Sequence, residues 1–177
     1  MKKYEILREY SIKVGNHTLY RPKALIDFGD VAAGELGGYI ESEKNLSHGG
    51  SCWIYKDSKV YEDAEISGHA KVISGTVYGN AKISDNAEVS CSTVYGNAEI
   101  SDCSEVTGST VYGNAKISDN AEVNYSTVYG NAKISDNAEV SNSTVYGNAE
   151  ISDCSNVNGN EVYGNVKISD TTVYGTA

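Results

Sequence analysis

The stretch TVYGNAKISDNAEVSCS, residues 76–92, decides the fold of this 177-residue chain. Copies with few changes follow it, each 17 residues after the last, and they begin at Thr93, Thr110, Thr127, Thr144 and Glu161. A looser copy, KVYEDAEISGHAKVISG, precedes it at residues 59–75. A fixed period of this length is typical of a solenoid, in which each repeat is one structural unit that stacks on its neighbours.

Aliphatic residues recur within the repeat at steps of six, six and five residues, as at Val77, Ile83, Val89 and Val94. Most of them follow a small residue two positions earlier, such as Ala81, and this alternation predicts short strands with one buried face. The Gly-Asn, Asp-Asn and Ser-Cys pairs between the strands suit tight turns and positive φ. A helix is excluded, because a spacing of six leaves no apolar stripe. Three strands per repeat therefore form one turn of a triangular coil, and the five-residue step predicts one tighter corner.

The pattern aliphatic-x-x-x-small-x resembles the hexapeptide repeat of left-handed parallel β-helices, over about residues 54–177. The resemblance implies an all-β fold, a single-stranded left-handed parallel β-helix that forms a triangular solenoid of about seven 17-residue coils. At about 4.8 Å per coil, the prism would be roughly 30–35 Å long.

Residues 1–53 lack the repeat, and we expect them to form an N-terminal hairpin and cap on the repeat domain of residues 54–177. YSIKVGNHTLYRPKALIDF, residues 10–28, predicts a β-hairpin with Gly15-Asn16 at its turn. Residues 27–55 resemble the leader of YdcK-type hexapeptide proteins, which occur in bacteria and phages. The shared elements are Asp27-Phe28, Asp30-Val31, Gly37-Gly38, Asn45-Leu46-Ser47 and Cys52-Trp53-Ile54-Tyr55. A cap covers backbone that an open coil end would leave unpaired. The last coil has no comparable cap, so a tail-to-tail homodimer through the C-terminal coil is a further expectation.

Charge is divided unevenly along the chain. Residues 1–50 carry seven basic and seven acidic side chains, and residues 51–177 carry seven and 17, so the formal net charge of −10 lies in the repeat half. We therefore expect no direct binding to nucleic acid or to an anionic membrane. There is no recognisable signal peptide or membrane-spanning stretch. The four cysteines form no CxxC pair, which predicts free thiols and a cytoplasmic location, in a bacterial cell or a phage-infected bacterial cell.

The resemblance also raises the possibility of catalysis, because hexapeptide-repeat proteins include many acyltransferases that use a histidine base in a cleft between neighbouring coils of a trimer. His17 falls in the predicted hairpin and His48 in the leader, and His69 takes the turn position that Asn86 holds in the next copy. A solvated turn histidine is the simpler interpretation of His69. No coil carries an inserted loop, the interior is filled by Val, Ile and Ala, and no metal-ligand or phosphate-binding motif is present. We therefore predict no catalytic residue, no metal, no cofactor and no enzymatic activity.

Stacking turns each exposed repeat position into a row along the solenoid, and two rows are candidate partner-binding surfaces. The first contains aromatic residues, beside a row of threonines: Tyr61, Tyr78, Tyr95, Tyr112, Tyr129, Tyr146 and Tyr163. The second, the acidic edge, combines a row of aspartates with a row of glutamates: Asp85, Glu88, Asp102, Glu105, Asp119, Glu122, Asp136, Glu139, Asp153 and Asp170. Like charges about 5 Å apart repel by roughly 1 kcal/mol in water, so an edge without lysines invites a functional explanation. A structural explanation of the acidic edge is also open: Asp suits the turn, and duplication of the repeat copies that Asp into each new copy. The remaining side alternates Lys and Glu and needs no function.

These observations favour a non-catalytic, rigid binding protein. The sharper hypothesis is a phage-type inhibitor or decoy, whose acidic edge mimics DNA at the basic nucleic-acid-binding groove of a host defence protein such as a CRISPR nuclease. Two alternatives stay open: an acyltransferase-like hexapeptide-repeat protein, and a structural or assembly solenoid that binds through its Tyr/Thr face.

Overall fold

The computed structural model describes residues 2–175, and nearly all of its regular structure is β-strand. The exception in these residues is one 3-10 helix, Glu43–Asn45. Nothing among the helices of the described residues has the length and hydropathy of a membrane span.

An antiparallel hairpin opens the chain, as predicted. β1 (Tyr4–Val14) pairs with β2 (His17–Ala24), and Gly15 takes the positive φ, 58°, that the turn needs. β2 then pairs with β3 (Tyr39–Ile40), which ties the hairpin to the first sheet of the solenoid.

Three parallel sheets form the three faces of the solenoid. The tyrosine face continues from the hairpin through β3, β5 (Lys59–Val60), β8 (Thr76–Val77), β11 (Thr93–Val94), β14 (Thr110–Val111), β17 (Thr127–Val128), β20 (Thr144–Val145) and β23 (Glu161–Val162). The mixed-charge face contains β6 (Glu65–Ile66), β9 (Lys82–Ile83), β12 (Glu99–Ile100), β15 (Lys116–Ile117), β18 (Lys133–Ile134), β21 (Glu150–Ser152) and β24 (Lys167–Ser169). The glutamate face contains β4 (Trp53–Ile54), β7 (Lys71–Ile73), β10 (Glu88–Ser90), β13 (Glu105–Thr107), β16 (Glu122–Asn124), β19 (Glu139–Ser141), β22 (Asn156–Asn158) and β25 (Thr172–Tyr174).

Successive copies of the repeat pair in register. Val94, for example, lies between Val77 and Val111, so one position of the repeat becomes one row. The aliphatic and alanine positions fill the interior; Ala81 and Ile83 are both 0% exposed. The predicted all-β solenoid of stacked 17-residue coils is thereby confirmed.

The solenoid has about eight turns, because the glutamate face alone holds eight strands. The repeat count predicts about seven, and the additional turn comes from the leader. β3 pairs with β5, Leu46 bridges to Ile66, and β4 pairs with β7, so leader residues supply all three sides of a coil. This coil does not follow the repeat pattern, which is why its strands are not apparent in the sequence.

The corners follow the chemistry of the turns. Two residues separate β10 from β11, whereas four separate β8 from β9, so the five-residue step does make the tighter corner. Each corner also holds one residue at positive φ, as at Gly79 (75°), Asp85 (59°) and Cys91 (50°).

Candidate active site

The structure gives the three histidines different surroundings. Two of them are tied into the N-terminal part of the fold. The His17 Nδ1 lies 3.1 Å from Glu41 Oε1, and its Nε2 lies 3.4 Å from Glu62 Oε1. The ring of His48 stacks on Tyr4 with 4.3 Å between centroids. His69 is exposed and borders a cleft.

This cleft has a volume of about 450 Å³, within the range of small-molecule sites. It lies where the leader crosses the corner between the mixed-charge and glutamate faces. Leader residues line one side and the first coils line the other: Gly29, Asp30, Ser51, His69, Lys71, Asn86 and Glu88.

Ser51 and His69 are the pair at its centre. The Ser51 Oγ lies 2.8 Å from the His69 Nδ1, and the backbone N–H of Ser51 donates to the same nitrogen at 3.3 Å. A backbone N–H can only donate, so this Nδ1 carries its lone pair and the neutral ring holds its proton on Nε2. The imidazole is therefore a proton acceptor on the side that faces Ser51.

A close backbone contact joins the leader to the first coil at this corner. Gly68 holds the position of Asp85 one coil earlier, with φ 64°. A Cβ on Gly50 would lie 1.9 Å from the Gly68 carbonyl oxygen, so the leader needs glycine at position 50. This contact brings residue 51 alongside residue 69.

A second polar group in the cleft is charged. The Asp30 carboxylate accepts hydrogen bonds from Tyr55 Oη at 2.6 Å and from Lys71 Nζ at 2.9 Å. These two donors, the tyrosine first, hold the pKa of Asp30 below its usual range. Burial and the same hydrogen bond raise the pKa of Tyr55. Lys71 therefore stays in place as a fixed cation beside His69.

The structure also shows the aromatic row directly. Its rings stack nearly parallel, with centroids 5.2, 5.0, 4.9, 4.9, 4.8 and 5.3 Å apart from Tyr61 to Tyr163. His17 continues the series, with its ring centroid 5.3 Å from that of Tyr61. The row is continuous, and its role in binding stays a prediction.

The acidic edge forms as two rows in register. Glu105 pairs with Glu88 and Glu122, and Glu139 continues the series. Lys71 precedes the glutamates, and the Asn156 amide donates to Glu139 at 2.7 Å at the other end. The aspartates of the second row have positive φ at the turn: Asp85, Asp102, Asp119, Asp136, Asp153 and Asp170. The turn thus gives this row a structural cause, and partner binding by the edge stays a prediction.

The cleft is the feature that the sequence interpretation missed. Two departures from the repeat mark it: Gly68 replaces the aspartate of the other copies, and His69 replaces the Asn, Cys or Thr that follows that aspartate. Neither departure reveals that leader residues come to lie opposite.

Comparison with known proteins finds similarity over one segment of the chain. No family model matches the chain. It is similar to "Uncharacterized acetyltransferase YdcK" of Escherichia coli (strain K12), with 40% identity over 55 residues, which are 30% of this chain. The match covers 17% of that relative, so the chain spans well under two thirds of the length of the curated protein that it matches.

This match overturns one prediction. The sequence favoured a protein without enzymatic activity, and that is wrong: the relative is named an acetyltransferase, and the parallel β-solenoid is the fold that the hexapeptide resemblance links to acyltransferases. The structure adds that His69, which is exposed at its turn as expected, also borders a cleft. The comparisons and the fold together support a hexapeptide-repeat β-helix similar over one segment to an acetyltransferase.

Proposed function

We propose that this chain is an acyltransferase, which moves an acetyl group from a thioester donor to a small acceptor bound in the cleft beside His69. The observation that carries the proposal is the position of His69, an exposed imidazole with a proton-accepting Nδ1 on the edge of a cleft of about 450 Å³. The similarity of one segment to a protein named an acetyltransferase supports it.

The residues of the cleft suit the chemistry. Acyl transfer requires a base that takes a proton from the attacking group, and a neutral imidazole near physiological pH is suited to this. It also requires stabilisation of the negative charge that develops on the carbonyl oxygen. Lys71 supplies a positive charge on the same wall, and its hydrogen bond to Asp30 fixes its position. The donor carbonyl would face Lys71 while the acceptor proton faces His69.

The test is an assay with purified protein, acetyl-CoA and a panel of small amines and alcohols, in which release of the CoA thiol is measured. We expect His69→Asn to lower the rate by about 10²–10⁴-fold, the usual contribution of a general base. The substitution suits the fold, because Asn occupies this turn position at Asn86, Asn120 and Asn137.

The matched control is Asn120→His, which places an imidazole on the same row away from the cleft and should leave the rate unchanged. Wild-type protein that transfers acetyl to no acceptor in the panel would contradict the proposal. Full activity in His69→Asn would contradict the role of the histidine.

The decoy hypothesis has less support. In its favour stand the glutamates that stack in register from Glu88 to Glu139. No comparison supports a phage origin, a DNA mimic or a CRISPR partner, and a duplicated turn motif accounts for the aspartates. Binding of a basic protein by the acidic edge therefore stays a secondary prediction, at the same corner as the cleft, which Glu88 of that edge also lines.

A further inference from the structure

We propose that Ser51 is the nucleophile of this reaction, so that the acyl group passes through an ester on Ser51 before it reaches the acceptor. The inference rests on the proposed acyl transfer and adds a covalent step to it. It is carried by the contact between a serine hydroxyl and the proton-accepting nitrogen of His69.

The direction of the proton follows from the geometry. The Ser51 N–H donates to the His69 Nδ1 at 3.3 Å, so this nitrogen is unprotonated in the observed arrangement. The Ser51 Oγ is 2.8 Å from the same nitrogen, and its hydroxyl must therefore be the donor. A hydroxyl directed at a neutral imidazole is the arrangement by which serine nucleophiles are activated.

Neighbouring coils hold the pair in place. The N–H of Cys52 donates to the carbonyl of Gly68 at 3.0 Å, and the N–H of His69 donates to the carbonyl of Asp85 at 2.6 Å. Ser51 therefore directly precedes a residue that is bonded to the next rung, and His69 is itself bonded to the rung after it. Such anchoring keeps the Oγ and Nδ1 within reach of each other without help from a ligand.

A glycine keeps the hydroxyl open to the cleft. A Cβ on Gly29 would lie 3.2 Å from the Ser51 Cβ and 3.5 Å from its Oγ. A side chain at position 29 would therefore pack directly against the Ser51 hydroxyl on the side of the cleft. Other serines at this corner differ from Ser51, because their hydroxyls donate to the adjacent aspartate. The Ser84 Oγ, for example, donates to Asp85 Oδ2 at 2.7 Å.

The two half-reactions balance without a further reagent. In the first, a bond forms between Ser51 Oγ and the acyl carbon and the C–S bond breaks. The hydroxyl proton moves to His69 Nδ1 and then to the leaving thiolate, which departs as a thiol. In the second, the acceptor heteroatom bonds to the acyl carbon, the bond to Oγ breaks, and the acceptor proton returns through Nδ1 to Oγ.

The experiment is incubation of the full chain with acetyl-CoA and no acceptor, followed by mass spectrometry of the intact protein and its peptides. We expect one acetyl group per chain on Ser51, with a burst of thiol of about one equivalent. Ser51→Ala should lose the adduct and slow transfer by roughly 10²–10⁴-fold. Ser51→Cys should recover an adduct, now as a thioester. Circular dichroism melting of each variant controls for folding.

Every outcome separates the two proposals. Transfer to acceptors at the wild-type rate in folded Ser51→Ala would overturn the Ser51 proposal and leave acyl transfer standing. An acetyl group on a lysine or cysteine, at equal rates in wild type and Ser51→Ala, would also overturn it. Acetylation of Ser51 with no onward transfer would support the nucleophile and overturn the transferase function. No adduct and no transfer in the wild type would overturn both.

Discussion

At the scale of single residues, backbone conformation at the corners selects the amino acids that the repeat tolerates. The left-handed backbone conformation is unfavourable by roughly 1–2 kcal/mol for an ordinary L-residue, and this free-energy cost is smallest for Gly, Asn and Asp. The rows begun by Gly79 and Asp85 follow this rule in the regular copies. The tight corner follows it less strictly, since it holds Cys91, Gly108, Tyr125, Asn142 and Gly159.

Tyr125 is the exception that gives a stability prediction. It has φ 50° and is 69% exposed, and Asn142 takes the same place one coil later with φ 49°. We expect Tyr125→Asn to stabilise the fold by about 0.5–1 kcal/mol, because Asn tolerates this conformation better. A gain of 1 kcal/mol corresponds to a rise in Tm of roughly 2–4 °C at this chain length, measurable by thermal melting.

The control at this position is Tyr125→Val. A β-branched residue is least compatible with positive φ, so its Tm should fall below that of the wild type. A higher Tm for Val than for Asn would show that packing of the side chain over Gly108, and not φ, governs this corner.

At the scale of one structural element, the tyrosine row couples neighbouring coils through their side chains. Tyr146 has a ring on each side, and its Oη donates to Glu161 at 2.8 Å. This hydrogen bond, followed by burial, raises the pKa of Tyr146 from 10.0 to about 12. Tyr146 therefore holds its proton at a pH at which free tyrosines lose theirs.

The raised pKa of Tyr146 predicts a pH dependence of stability. A tyrosine whose pKa is higher in the folded chain contributes stability that is complete below pH 10 and is lost as the pH rises towards 12. We expect Tm to fall across this interval. Glu161→Gln should shift part of the tyrosinate absorbance to lower pH, because the neutral amide no longer favours the protonated phenol. Identical absorbance titrations of the two proteins would contradict the assignment to Tyr146.

The composition of each face could be predicted from the repeat, and the cleft could not. Period-two alternation decides which residue points inward, and parallel stacking turns Tyr78 or Glu105 into a row whatever the details of the corner. The cleft depends on contacts over long separations in sequence, such as Lys71 with Asp30. Those contacts arise from an irregular leader, and no periodic signal accompanies them.

At the scale of the whole molecule, the same distinction explains the extra turn. The regular coils follow from the spacing of Val and Ile, since each copy offers the same strands to its neighbours. The leader coil reaches the same architecture with Ile40, Leu46 and Ile54, whose second step is eight residues instead of six, and all three are 0% exposed. Its strands become evident only when the coil beneath it supplies the pairing partners.

Removal of one complete coil, residues 110–126, tests this modularity. Thr127 would then follow Ser109 and pair where Thr110 pairs in the full chain. We expect the shortened protein to fold with a small loss of Tm, to measure about 4.8 Å less along its axis, and to keep any activity of the His69 cleft. Small-angle scattering and circular dichroism give these readouts.

The matched control is deletion of residues 110–117, which places Val123 nine residues after Val106, a step that fits neither one side nor two sides of a coil. It should fail to fold cooperatively, because the later coils would no longer present their buried positions in register with the coils before them. Equal stability of the two deletions would contradict a solenoid whose stability depends on register.

The location of the Ser51–His69 pair at the leader end has a consequence for how such a molecule changes over generations. Every copy beyond the second is remote from the pair, so gain or loss of copies would alter the reach of the protein in steps of one rung while its chemistry stayed constant. The number of regular coils would then set the distance from the Ser51–His69 pair to the far end of the solenoid. Selection could change that distance without altering either residue of the pair.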